Sequence, residues 1–288
     1  MNFSSIVLGL WRLVDWQMTP AQRLIFLQRA LELGVSTIDQ ADIYGDYQSE
    51  ACLGEAFALQ PSLRDRLQIV TKCGIKLVSA KRPAHRLQHY DTSREHIIAS
   101  VENSLRAMCI ETIDLLLIHR PDPLMQADEL AKTFQELQQA GKVKNFGASN
   151  FTVSQFELLA SRFPLVTNQI EFSLLHLAPL HDGTLDQCQR LRIAPMIWSA
   201  LSGGNLFAGN DERAVRVRKV LSEIAAKHEV SMTTIAIAWI LQHPAMPAVL
   251  TGSGRIAVIE ETVAATKIKL SREEWFDLWC AAMGRGVD

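Results

Sequence analysis

Short apolar, β-branched runs recur along the chain, and each is followed by a longer stretch whose apolar residues return every three or four positions. The first pattern is that of a buried parallel strand, the second that of an amphipathic helix. Eight such runs stand out, at residues 5–8, 35–38, 67–71, 112–118, 145–148, 165–168, 194–197 and 248–251. Helical periodicity covers 20–33, 93–108, 127–140 and 212–227, and Gly34 and Gly141 fall where a helix would end on a left-handed residue. The alternation predicts βα units on a parallel sheet. Eight units fit an α/β fold of the (β/α)8 TIM-barrel type, usually about 250 residues long. No low-complexity linker or shift of composition divides the chain, so a single barrel domain over 1–288 is expected. A doubly wound sheet alternates in the same way, but its dinucleotide fingerprint, G-x-G-x-x-G after a strand, is absent.

Composition narrows the function classes. The chain is 48% hydrophobic and 21% charged, with a formal net charge of −2, so there is no overall basic field to recruit nucleic acid or an anionic membrane. No stretch approaches the roughly 20 apolar residues of a membrane helix. The opening residues 1–11 have no basic flank or small-residue cleavage site and read as a strand, not a secretion signal. Cys52, Cys73, Cys109, Cys188 and Cys280 are odd in number and scattered, which suits a reducing compartment. A soluble, cytoplasmic protein is expected.

Candidate chemistry gathers at strand ends, the active face of such a barrel. The second run leads into Asp39-Gln40-Ala41-Asp42-Ile43-Tyr44-Gly45, the third ends in Ile69-Val70-Thr71-Lys72, and the fourth in Leu115-Leu116-Leu117-Ile118-His119-Arg120-Pro121. Each residue alone has an ordinary structural explanation: a helix cap, a wall, a solvated charge. Together, Asp, Tyr, Lys and His arrive in order at three successive strand ends.

In these motifs the sequence resembles the aldo-keto reductases, whose Asp, Ala, Tyr, strand-end Lys and "LLLIHRP" His correspond to Asp39, Ala41, Tyr44, Lys72 and His119. The likeness continues through Gly141-Lys142-Val143-Lys144-Asn145-Phe146-Gly147-Ala148-Ser149-Asn150-Phe151, beside the family's "GKVRxxGVSNF", and Asn168-Gln169-Ile170-Glu171, beside "NQxE". The resemblance implies reduction of a small carbonyl compound with NADPH. Tyr44 would give the proton, Lys72 would lower its pKa, Asp39 would orient Lys72, and His119 would hold the carbonyl oxygen. It further implies that Ser149, Asn150 and Gln169 hold the nicotinamide carboxamide and that Trp198 stacks on its ring. Ser199, Leu201, Gly252, Ser253, Arg255 and Glu261 would bind the rest of the cofactor, with Ser253 and Arg255 favouring the 2′-phosphate. Trp11 would line the substrate pocket, and the protein would be a monomer.

Several features depart from the family pattern. Ser199-Ala200-Leu201 replaces its "SPL", while Thr262 and Val258 stand where many members carry Asn and some carry Arg. The N-terminal stretch leaves little room for a hairpin closing the barrel bottom. Residues 74–91, with Lys81, Arg82, His85, Arg86 and His89, read as a solvated, mobile loop. A short loop after His119 and a short C-terminal tail suggest an open pocket. A nicotinamide-binding sensor or regulatory subunit on the same barrel is the alternative reading, disfavoured by the intact Asp39, Tyr44, Lys72 and His119 set. A metal-dependent barrel hydrolase would need clustered ligands where His119 stands nearly alone, so no metal is expected.

Overall fold

The computed structural model describes residues 1–287. The strands in chain order are β1 (Ile6–Gly9), β2 (Thr37–Asp39), β3 (Gln68–Cys73), β4 (Ile75–Lys76), β5 (His89–Tyr90), β6 (Ile113–Ile118), β7 (Val143–Ser149), β8 (Asn168–Glu171), β9 (Met196–Trp198) and β10 (Ala248–Thr251). All but β4 and β5 are parallel, and they close in the order β1-β10-β9-β8-β7-β6-β3-β2. Closure comes from the first and last strands, with Ile6 opposite Val249 and Leu8 opposite Thr251. The fold is therefore a closed (β/α)8 barrel, not an open doubly wound sheet.

The strands read as continuous apolar runs because both of their faces are buried. Along β6, Leu115 and Leu117 join an inner cluster with Val7, Val70, Met196 and Ala248. Their neighbours Leu116 and Ile118 belong to the larger cluster shared with the helices, which includes Ile69, Val101, Phe134 and Phe146. Phe3, ahead of β1, packs partly buried against the inner cluster.

Helix ends follow their local chemistry. Thr19 and Gln22 form a capping box at the start of Pro20–Glu32, and Gly34, just past its end, adopts φ +85°. Gly141 does the same after Ala127–Gln139, with φ +71°. The strand expected over 165–168 instead runs from Asn168 to Glu171. Apolarity is highest at Leu165 and Val166, whereas the ladder to β7 pairs Ala148 with Asn168 and Ser149 with Gln169, so this strand carries polar residues into the site. Residues 74–91 also differ from a simple solvated loop. Ile75 pairs with Tyr90 and Lys76 with His89, and a second bridge joins Ser79 to Arg82.

Candidate active site

The C-terminal ends of β2, β3 and β6 bring Asp39, Lys72 and His119 to one face, with Asp39 opposite Val70 and Lys72 opposite Leu117. Lys72 is fully buried. Its Nζ stands 2.7 Å from both Asp39 carboxylate oxygens, 2.9 Å from the Gln40 carbonyl and 3.0 Å from the Tyr44 hydroxyl. Gln169 Nε2 donates to Asp39 Oδ1 at 2.7 Å. Tyr44 opens a tight turn in which Gly45, Asp46 and Tyr47 all have left-handed φ values, 57°, 54° and 64°. Glycine is required at position 45, since a Cβ there would lie 2.4 Å from Val14 Cγ2. The His119 ring meets the Tyr44 ring edge-on, with centroids 5.8 Å apart at 78°.

Electrostatics in this pocket reflect burial set against one ion pair. Burial opposes the Lys72 charge, but the adjacent Asp39 carboxylate and Tyr44 raise its proton affinity above the usual lysine value overall. The expected lowering of the Tyr44 pKa does not occur. Burial raises it above 10.0, outweighing the pull of Lys72, part of which is cancelled by Asp39. Tyr44 is thus a phenol that keeps its proton. Burial, with Lys72 and Arg120 adding to it, holds the His119 pKa well below its ordinary value, leaving a neutral imidazole. His119 Nδ1 is buried without a partner. A bare acceptor is more often tolerated there than an orphaned N–H, which assigns the ring proton to Nε2.

Beside this centre a linked set of polar groups runs through β7, β8 and β9. Asn150 has φ +60°; its Nδ2 donates to Ser149 Oγ at 2.7 Å, and its Oδ1 accepts from Trp198 Nε1 at 2.9 Å. Ser149 Oγ in turn donates to the Gln169 carbonyl at 3.1 Å. A groove of about 680 Å3 continues from here, lined by Trp11, Ser199, Leu201, Gly252, Ser253 and Arg255 among others. Val258 and Thr262 line it too; the Thr262 hydroxyl is engaged by the Val258 carbonyl at 2.7 Å. Glu261 is not brought into the groove. It is exposed, and its carboxylate accepts from Ser231 Oγ at 3.3 Å. Trp11 is 62% exposed, a rim position. A cleft of about 900 Å3 lies at the opposite barrel end, where Asp114 pairs with Arg64 and Lys144, and it contains none of these residues.

Three features of the site escaped the sequence reading. Gln40 receives Lys72 on its carbonyl, and its amide donates to the Ser49 carbonyl at 3.1 Å. Glu50 is buried within electrostatic reach of Lys72 and accepts from Thr71 Oγ1 at 2.6 Å. Arg120 carries its guanidinium carbon 5.6 Å from the centre of the Trp198 ring. The position of Gln40 between Asp39 and Ala41 was a usable signal; Glu50 and Arg120 had none. The 74–91 segment also packs on the Tyr44 turn, with Leu77 N–H donating to Tyr47 Oη at 2.8 Å and Arg82 lying 4.6 Å over the Tyr47 ring. Among the described residues, no helix is long and apolar enough to cross a membrane, and no group of three or more His, Cys, Asp or Glu could hold a metal ion.

The closed (β/α)8 barrel, with Asp39, Lys72, half-buried Tyr44 and His119 gathered at its C-terminal face, is matched over residues 5–278 by the model of the Aldo/keto reductase family, a class of oxidoreductase. The chain belongs to that family. It is 48% identical to the oxidoreductase YdhF of Escherichia coli, over 99% of this chain and 96% of the relative. It is 42% identical to a 6-dehydroglucose reductase of Agrobacterium fabrum, over 100% of this chain and 97% of the relative. Among solved structures, the glycerol dehydrogenase AKR11B4 of Gluconobacter oxydans superposes with a TM-score of 0.86 at 25% identity, over 100% of this chain and 95% of that one.

Proposed function

We propose that the protein reduces aldehydes or ketones to alcohols with NADPH, with Tyr44 as proton donor and Lys72, Asp39 and His119 assisting. The observation that carries this reading is the contact of the Tyr44 hydroxyl with Lys72 Nζ at 3.0 Å, beside the buried ion pair of Lys72 and Asp39. Tyr44 holds a proton that an alkoxide takes readily. The phenolate left behind is stabilised by the ammonium beside it, and Asp39, itself held by Gln169, keeps that ammonium in place. His119, neutral and protonated on Nε2, donates to the carbonyl oxygen and fixes its direction.

The groove suits a dinucleotide. Gly203 and Gly204 line it with φ values of 64° and 101°, and no atom lies within 4 Å of where a Cβ would stand on either, so backbone is open to a ligand there. Ser253 and Arg255 precede the helix Ile256–Ala264, where a hydroxyl, a guanidinium and helix N–H groups could meet a phosphate. When bound, reduced nicotinamide supplies the hydride that the carbonyl carbon accepts. Ser149, Asn150, Gln169 and Trp198 would hold its carboxamide and ring, and Ser199, Leu201 and Gly252 would follow the pyrophosphate. Glu261 would have to leave Ser231 to reach an adenine.

The test is NADPH consumption with a panel of aromatic aldehydes, diketones and sugar aldehydes, the last because of the 6-dehydroglucose reductase relative. Cofactor binding is followed separately by quenching of tryptophan fluorescence. Tyr44→Phe should lower turnover by about two or more orders of magnitude while still quenching with NADPH. Turnover unchanged by that substitution, or no NADPH binding by the wild-type protein, would sink the reading.

A further inference from the structure

Arg120 directly follows His119 at the end of β6, and its guanidinium is open to water yet held on an aromatic face, with no protein partner for its donors among the described residues. It is half-buried. Among the described residues it donates no hydrogen bond, no carboxylate lies within ion-pairing distance, and its contact is the face of Trp198. Arg23, Arg64 and Arg218 are also half-buried and use their forks differently. Arg23 donates to the Met18 and Cys52 carbonyls and to Glu55, Arg64 to the Leu67 and Thr112 carbonyls and to Asp114, and Arg218 to the Leu206 and Gly209 carbonyls. A guanidinium carries five N–H donors, has no acceptor and stays charged. At Arg120 that donor set is oriented but unused.

Its platform is fixed. Trp198 is held by Asn150, and Asn150 Nδ2 also reaches the carbonyl of His119 at 3.4 Å, so the indole beneath Arg120 is tied to the residue that precedes it. The position is close enough to the reacting groups for the Arg120 charge to act on both Tyr44 and His119. A flat cation held on an aromatic face beside the carbonyl-binding histidine matches a planar anion on the same small molecule.

We propose that Arg120 determines substrate specificity by pairing with a carboxylate on the carbonyl compound, so that the preferred substrates are aldehydes or ketones that carry an acid group. The inference rests on the reductase reading and adds the chemical class of its substrate. Hydroxyl groups could also meet these donors, but without the opposite charge and paired oxygens that a carboxylate offers a guanidinium.

The test compares 4-formylbenzoate with its methyl ester, two aldehydes of nearly the same shape that differ in charge. Wild-type protein should favour the acid in kcat/KM by about tenfold or more, and Arg120→Met should bring the pair within about threefold, chiefly by raising KM for the acid. The ester should lose less, and Arg120→Lys should recover part of the preference. Calorimetric titration of 4-hydroxymethylbenzoate, the product alcohol, gives a readout independent of turnover, and Arg120→Met should weaken its binding about tenfold. Equal losses on acid and ester, or product binding unchanged in Arg120→Met, would overturn the assignment. If wild-type protein reduces neither these two aldehydes nor any member of the carbonyl panel, the reductase reading fails, and the proposal for Arg120 stands or falls on the titration alone.

Discussion

Lys72 has no exposed surface, and its ammonium is met by Asp39, the Gln40 carbonyl and Tyr44. That saturation is why the charge survives burial: removing one partner would leave the other charge uncompensated. The groups facing the carbonyl follow a different rule. Tyr44 keeps its proton beyond the ordinary tyrosine range, and His119 stays neutral well below the ordinary histidine range, both mainly because of burial. Neither Tyr44 nor His119 should therefore put a limb on kcat/KM for carbonyl reduction from about pH 5 to pH 9. pH–rate profiles of wild type and Glu50→Gln check this, because Glu50 titrates at about 7 beside Lys72; a limb near 6.5 in both would place a charged His119 in the free enzyme. Of these residues, Asp39, Tyr44, Lys72 and His119 were legible in the sequence because polar groups interrupt apolar runs at three strand ends. Arg120 was not, because an arginine beside Pro121 gains its meaning only from the indole that β9 brings beneath it.

Segments are positioned by close approaches that a hydrophobic pattern does not encode. The helix Ser49–Leu59 follows the Tyr44 turn and packs on the helix Arg94–Met108 through Gly54. A Cβ on Gly54 would stand 2.1 Å from the Ala107 carbonyl oxygen and 3.0 Å from the Met108 carbonyl carbon, so backbone would have to shift. Glycine to alanine in a helix interior ordinarily stabilises by roughly 1 kcal/mol. Here overpacking should win: Gly54→Ala should destabilise by about 2 kcal/mol net, lowering Tm by about 4 °C or more in a thermal melt. A raised Tm would mean that the two helices can separate cheaply. The same limit explains β8. Its polar strand residues Asn168, Gln169 and Glu171 are set by pairing with β7 and by the site, so a search for apolar runs stopped at the wrong end of the segment. The β4–β5 hairpin was hidden likewise, since two-residue strands lack a period to detect.

At the level of the whole molecule, eight alternating units announced a parallel sheet, but nothing local distinguishes a barrel from an open sheet; that depends on β1 meeting β10 across nearly the full length of the chain. Closure also encloses acids that no pattern marks. Glu50, at 6% exposure, accepts from Thr71, and burial pushes its pKa from 4.5 up to about 7 despite that bond, a further one from Ser104 and the charge of Lys72. Between these two values the unfolded chain ionises Glu50 while the folded chain keeps the proton. The folded state then binds more protons, and stability falls as pH rises through this window, by about 3 kcal/mol in total before levelling above pH 7. Asp42, also raised by burial and by Glu50, acts with the same sign, whereas His96 and His119, both lowered, act against it. Glu50→Gln separates these contributions, because the amide oxygen can still accept from Thr71 while the position no longer titrates. Urea unfolding at pH 4.5 and pH 8 should give the variant little advantage over wild type at the lower pH and about 3 kcal/mol at the higher. A difference between the two proteins that does not change with pH would mean that Glu50 enters the folded barrel already ionised, and that Lys72 answers two carboxylates instead of one.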